Sequence, residues 1–130
     1  MSLSLEDQLD IMDVMARYNH AVDSGDAEAW ANTFTDDGIF EGSAITVKGR
    51  EELLEFVRSR DPSNPIRHWN NNVLIEGNGD DASAKVYLVT FDVSGPPKIR
   101  SSGIYHDTLK RIDGQWKFTY RKVEVDRLTN

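Results

Sequence analysis

From Leu5 to Asp23 the apolar residues Leu5, Leu9, Met12, Met15 and Val22, with Ile11, Val14 and Tyr18 beside them, recur at steps of three and four. That spacing lays side chains along one side of a helix and predicts an amphipathic rod about 30 Å long. Ser4 stands where an N-cap is needed, and Ser24-Gly25-Asp26 reads as a left-handed stop followed by the N-cap of a second helix, Ala27 to about Phe34. Asp36-Asp37-Gly38 predicts a turn and Ile39-Phe40-Glu41 a short strand. Lys48-Gly49-Arg50 leads into a third helix carrying Leu53, Leu54, Phe56 and Val57, which Asp61-Pro62-Ser63-Asn64-Pro65 must end, because proline lacks the helical N–H and restricts the residue before it.

Beyond Ile66 the period changes from between three and four to two. Strands are expected over Ile66–Glu76, Ala82–Val93, Ile99–Ile112 and Gln115–Arg127, separated by Gly77-Asn78-Gly79-Asp80, Gly95-Pro96-Pro97 and Asp113-Gly114. Four long strands with short turns form an antiparallel meander. Helices followed by a meander give an α+β fold in which the helices cover one face of a curved antiparallel sheet, and strands this long roll into a cone with a cavity at its open end. A chain of 130 residues is expected to form a single domain over 1–130.

Composition narrows the functional classes. Fifteen Lys and Arg against 22 Asp and Glu give a net charge of −7, which repels nucleic acid and anionic membrane surfaces. Residues 98–130 reverse the balance, with eight Lys or Arg against four Asp or Glu. Lys110, Arg111, Lys117, Arg121 and Lys122 alternate with apolar residues there and read as the solvated outer face of paired strands. Zero cysteines exclude disulfides and thiolate chemistry. No secretory leader pattern or spanning apolar run is visible, so a cytoplasmic location is expected. The three histidines lack metal-ligand spacing and no phosphate-binding glycine loop occurs, so neither a metal nor another cofactor is expected.

Two residues stand out chemically. Asp23 falls on the last turn of the first helix, where the helix dipole disfavours a carboxylate; it is either a frayed-end residue bonded to Ser24 or a group with work to do. His68 lies near the start of the first meander strand, in phase with Asn70, Asn72 and Leu74, while Arg67, Trp69, Asn71, Val73 and Ile75 take the other face. It is either a satisfied structural histidine or a base. Asparagine is depleted in strands, so Asn70 on the histidine's face needs a partner or a ligand. Tyr18 is a core aromatic or a hydroxyl donor at the cavity rim, and Asp92 ends the apolar row Val86, Leu88, Thr90. On the outer face, Trp69, Val73 and Ile75 beside Tyr87, Val89, Phe91 and Val93 would leave a large apolar surface, so a homo-oligomer, dimer or trimer, is expected.

Tyr18-Asn19-His20-Ala21-Val22-Asp23-Ser24-Gly25-Asp26, Phe34-Thr35-Asp36-Asp37-Gly38, Arg67-His68 and Gly103-Ile104-Tyr105 through Gly114-Gln115-Trp116-Lys117-Phe118 resemble the SnoaL-like branch of the nuclear transport factor two-like superfamily. The resemblance spans nearly the whole chain. Its pattern is most similar to scytalone dehydratase, the bile-acid dehydratases and the hexachlorocyclohexane dehydrochlorinase, which eliminate water or HCl without a cofactor. It implies a catalytic Asp23–His68 dyad with Tyr18 as a third catalytic group. It places Asp92 close to a pocket carboxylate of those enzymes, and the expected substrate site comprises Asp92, Asn70, Glu41, Tyr105 and Leu88. Scytalone dehydratase differs at three of these places, with a tyrosine where Glu41 stands, a histidine near Asp92 and an asparagine near Tyr105. The expected function is a cofactor-independent, dehydratase-type lyase acting on a small hydrophobic, ring-containing hydroxylated or carbonyl compound. A ketosteroid-isomerase-like or polyketide-cyclase-like enzyme, and a non-catalytic ligand-binding module or dioxygenase β-subunit-like protein, are the alternatives.

Overall fold

The computed structural model describes residues 2–127. Helices α1 (Leu5–Ser24), α2 (Ala27–Ala31) and α3 (Gly49–Arg58) pack against strands β1 (Phe34–Glu41), β2 (Thr46–Lys48), β3 (Ile66–Asn78), β4 (Asp81–Asp92), β5 (Lys98–Ile112) and β6 (Gln115–Val125). The strands form one sheet in the order β2-β1-β6-β5-β4-β3. β3 to β6 are the expected antiparallel meander, and β1 adds to it parallel to β6. No helix among the described residues is long and apolar enough to cross a membrane.

Local chemistry sets the helix limits. Ser4 and Asp7 form a reciprocal capping box at the start of α1, and Gly25, at φ 75°, supplies the left-handed cap at its end. The buried stripe of α1 is Ile11, Met15, Tyr18 and Val22, whereas Leu5, Leu9 and Met12 are exposed. The first half of the apolar repeat therefore runs on a different side of the helix from the half that enters the core. The second helix ends at Ala31 and not near Phe34. Just past the Asn32 cap, Thr33 donates its hydroxyl to the Trp30 carbonyl at 2.6 Å, and its own carbonyl accepts the Phe118 N–H, which pulls the chain into the sheet. The expected turn at Asp36-Asp37-Gly38 is instead a register irregularity inside β1. β2, three residues long, is too short to show a period in the sequence.

Bulges decide which side chains reach the interior. In β3 the pairing with β4 slips between Asn71 and Leu74, and Asn72 takes φ 52°. Upstream of that slip His68 and Asn70 face inward; downstream Val73 and Ile75 pack against the core while Leu74 is turned out. Val73 and Ile75 thus leave the outer row predicted for them. In β6 the slip lies opposite Thr108 and Leu109, so Phe118 and Arg121 both point inward and Tyr120 outward. Arg121 is 0% exposed, not the solvated residue expected from simple alternation.

Gly103 shows how tightly β5 and β6 meet. A Cβ there would stand 2.3 Å from the Glu124 carbonyl oxygen and 3.1 Å from the Cα of Val125, whereas one at Gly95 would meet nothing. Gly103→Ala is therefore expected to destabilise the fold by about 1–3 kcal/mol or more through overpacking. Gly95→Ala should leave urea-denaturation midpoints close to wild type.

Candidate active site

The end of α1 meets the start of β3 at the mouth of the cone. Asp23 Oδ1 lies 2.5 Å from His68 Nδ1, and Asp23 Oδ2 accepts the His68 backbone N–H at 3.1 Å. The two side chains are only 14% and 12% exposed. A carboxylate at Nδ1 makes that nitrogen the protonated one and leaves Nε2 as the acceptor. The double contact answers the problem posed by the helix dipole, because two donors from the strand hold a carboxylate that the helix end does not favour.

His68 lines a cavity of about 560 Å³, a size typical of small-molecule sites, together with Tyr18, Val22, Phe40, Leu88 and Tyr105. On the strand beside it, Thr90 is the cross-strand partner of His68, and Ser101 is that of Thr90. The Thr90 and Ser101 hydroxyls are 2.6 Å apart, so an imidazole and two hydroxyls stand in a row across three strands. A larger groove of about 690 Å³ runs between α1, α2 and the β5–β6 turn. It holds neither dyad residue, and Arg17 and Asp13 within it are paired with each other at 2.6 Å. The smaller cavity is the one with assembled chemistry.

Behind the tyrosines lies a buried charge. Arg121 donates from Nε and Nη2 to the two oxygens of Asp107 at 2.8 and 3.1 Å. Its guanidinium carbon sits 3.5 Å from the Tyr105 ring centre, 4.4 Å from that of Tyr18 and 4.5 Å from that of Phe118. Burial pushes the Asp107 carboxyl up from its ordinary value, against the pull of the Arg121 guanidinium. Burial likewise raises Tyr18, which Arg121 partly offsets, and burial with the neighbouring Tyr18 raises Tyr105 further. Both phenols thus keep their protons at neutral pH and can act as donors.

Of the sequence-predicted site residues, the structure brings Asp23, His68, Tyr18, Leu88 and Tyr105 together. Asn70 shares the inner face, with its Oδ1 buried and unbonded, but does not line the cavity. Glu41 and Asp92 lie elsewhere. Since Phe40 points inward, Glu41 points out, where it accepts the Tyr120 hydroxyl at 2.6 Å and faces Lys122. Asp92, at the strand's end, accepts the Ser94 N–H and hydroxyl at 2.9 and 2.7 Å, and these bonds, the N–H first, lower its carboxyl below the ordinary range. Arg121, Thr90, Ser101, Arg60 and Arg100 were not among the expected site residues. The in-phase row Val86, Leu88, Thr90 was the visible signal for Thr90; bulges hid Arg100 and Arg121, and Arg60, in the connection after α3, carried no signal. Among the described residues no group of three or more His, Asp or Glu side chains is placed to hold a metal ion.

An unclosed, curved antiparallel sheet packed on N-terminal helices is the cystatin-like architecture of nuclear transport factor two-like proteins. The chain belongs to the SnoaL-like domain family, whose model matches residues 3–122. It is similar to Rv3472 of Mycobacterium tuberculosis, a protein of unknown function, at 36% identity over 92% of this chain and 72% of that one, with a TM-score of 0.87. A protein of unknown function with a cystatin-like fold from Nostoc punctiforme aligns at 31% identity over 98% and 97%, with a TM-score of 0.90. A scytalone-dehydratase-like protein from Novosphingobium aromaticivorans shares the fold at 22% identity, over 95% and 86%, with a TM-score of 0.83. A comparison with curated proteins gives no match.

Asp107→Asn removes the countercharge of a fully buried cation and is expected to cost about 3–5 kcal/mol in chemical denaturation. The matched apolar pair, Asp107→Leu with Arg121→Met, should recover most of that loss.

Proposed function

We propose that this protein is a cofactor-independent lyase that eliminates water from a small, ring-containing hydroxy-carbonyl compound. The Asp23–His68 contact at 2.5 Å, with Nε2 left for the cavity, carries the proposal. In this reading Nε2 of His68 takes a proton from the carbon next to the substrate carbonyl, and the released electron pair forms the enolate. Tyr18 donates its O–H to the developing oxyanion. As the enolate collapses to the new C=C bond, the C–O bond to the leaving hydroxyl breaks, and the imidazolium returns its proton to that oxygen as water leaves. Asp23 stabilises the imidazolium and fixes the tautomer.

The isomerase-like alternative, with Asp23 as the base, is less well supported, because both carboxylate oxygens already accept bonds from His68. The row Thr90–Ser101 gives the leaving hydroxyl or the departing water polar partners in a cavity otherwise walled by apolar side chains. In the same reading the chain works as a homo-oligomer joined through the outer sheet face. Trp69 and Tyr87 are 61% and 52% exposed there, and Trp69 packs on Phe91 at 4.6 Å between ring centres.

Against a panel of small hydroxy-carbonyl compounds, His68→Gln should lower kcat/KM by at least about a hundredfold, and Asp23→Asn should cut it with the fold intact. Because burial raises Tyr18, loss through its ionisation should come only above the ordinary tyrosine value of about 10. Full activity in His68→Gln would defeat the dyad mechanism. For the assembly, light scattering should give a multiple of 14.7 kDa, and Trp69→Lys with Tyr87→Lys should return the monomer mass.

A further inference from the structure

The sequence predicts a cavity for a small hydrophobic, ring-containing compound. The structure adds two cations. Arg60, just past α3, and Arg100, at the start of β5, both line the cavity that holds His68 and Tyr18. Arg100 reaches it because the pairing of β4 with β5 slips there: Thr90 faces Ser101 and Phe91 faces Ile99, which leaves Arg100 as the extra residue. Arg60 lies against Phe56, 5.9 Å from its ring centre, and Phe56 is itself a wall residue.

Among the described residues neither arginine makes an ion pair, in a chain with seven more acidic than basic residues. The one carboxylate lining the cavity, Asp61, is occupied: it accepts the Ser63 N–H and hydroxyl at 2.9 and 2.8 Å and the Asn64 amide at 3.3 Å. Asp126, close by, accepts the Ser102 hydroxyl at 2.7 Å. Asp92, near enough to Arg100 to feel its charge, is bound to Ser94. The nearby anions are held by their own neighbours, and the guanidinium donors are left for something that enters the cavity.

We infer that the substrate is an amphiphile: a ring-containing body lies between Leu88, Phe40 and Tyr105, and an anionic group, a carboxylate or a phosphate ester, is held at the mouth by Arg60 and Arg100. The inference rests on the lyase reading for which end of the molecule reacts, since the anion at the arginines turns the ring toward His68. Planar guanidinium forks bind either oxyanion with charge-assisted hydrogen bonds. The protein's overall negative charge opposes anion capture at long range, so a preference for anions reports the local pair.

Calorimetric titration of the full chain with 2-naphthoate, neutral 2-naphthamide of the same shape, and 2-naphthyl phosphate tests this. Naphthoate should bind about tenfold or more tightly than the amide. Arg60→Gln and Arg100→Gln should each shrink that ratio, and the double variant should abolish it while amide affinity stays unchanged. A further gain for naphthyl phosphate would mark the natural anion as a phosphate ester; its absence would mark it as a carboxylate. Equal binding of acid and amide, an intact ratio in the double variant, or no measurable naphthoate binding would overturn the inference. None of these probes carries a leaving group, so the outcome does not depend on elimination chemistry. His68→Gln should leave the ratio intact, and its collapse there would place the anion on the imidazole and also overturn the inference.

Discussion

A guanidinium with no exposed surface stands at the centre of this cone, and the site is arranged around it. Arg121 is tied to Asp107 across β5 and β6 by two hydrogen bonds and enclosed by the rings of Tyr105, Tyr18 and Phe118. Desolvating such a pair costs several kcal/mol per ion before its attraction is counted, so buried charge is a poor source of stability. What it supplies is geometry. Aromatic faces turn toward a cation, which fixes the rings of Tyr18 and Tyr105 as the cavity's floor. The same charge opposes part of the rise that burial imposes on Tyr18, keeping a buried phenol a useful donor.

The dyad has a comparable logic. A carboxylate on the final turn of α1 works against the helix dipole, and no basic residue in that turn relieves it. Relief comes from β3, through the His68 backbone N–H and ring. The packing of helix end on strand start and the orientation of the imidazole are therefore one interaction. Tertiary structure sustains a locally unfavourable residue here, which is the kind of conflict found where function outweighs local preference.

Much of this was legible in the sequence because the signals are local. The N-cap at Ser4, the glycine stop at Gly25, the Pro62 and Pro65 break and the four-strand meander follow from backbone chemistry within a few residues. Asp23 and His68 were each legible as candidates, from a charge misplaced on a helix and a histidine on an inward phase, and their pairing was what the family resemblance implied. What was hidden depended on bulges, since one extra residue exchanges the faces of everything beyond it. The slip near Asn72 sent Val73 and Ile75 inward and Leu74 outward, that at Arg100 brought a cation to the cavity, and that in β6 buried Arg121. No composition rule marks these places: Asn72 alone has a positive φ among them, and it sits in a run of three asparagines. Glu41 and Asp92 were placed by family resemblance, and they illustrate its limit, because strand phase and a two-residue turn at Ser94 took both side chains away from the cavity.

Strand register and one bulge together explain how one sheet presents three chemical environments along one cavity. Regular alternation alone gives the apolar row and the polar band of His68 and Thr90 on the inner face, and leaves the rim without a cation from β5. Here the deep end keeps its apolar row and closes on Tyr105 and Tyr18. The middle carries His68, Thr90 and Ser101 abreast on neighbouring strands. The rim acquires Arg100 only because β5 holds one residue more than β4 can pair. A molecule that fills this space meets a dry floor, then a proton acceptor with hydroxyls, then unpaired cations. Under the proposed function, that order would set the orientation of an amphiphilic ligand at the imidazole, its apolar end toward the tyrosines and its anionic end toward the arginines.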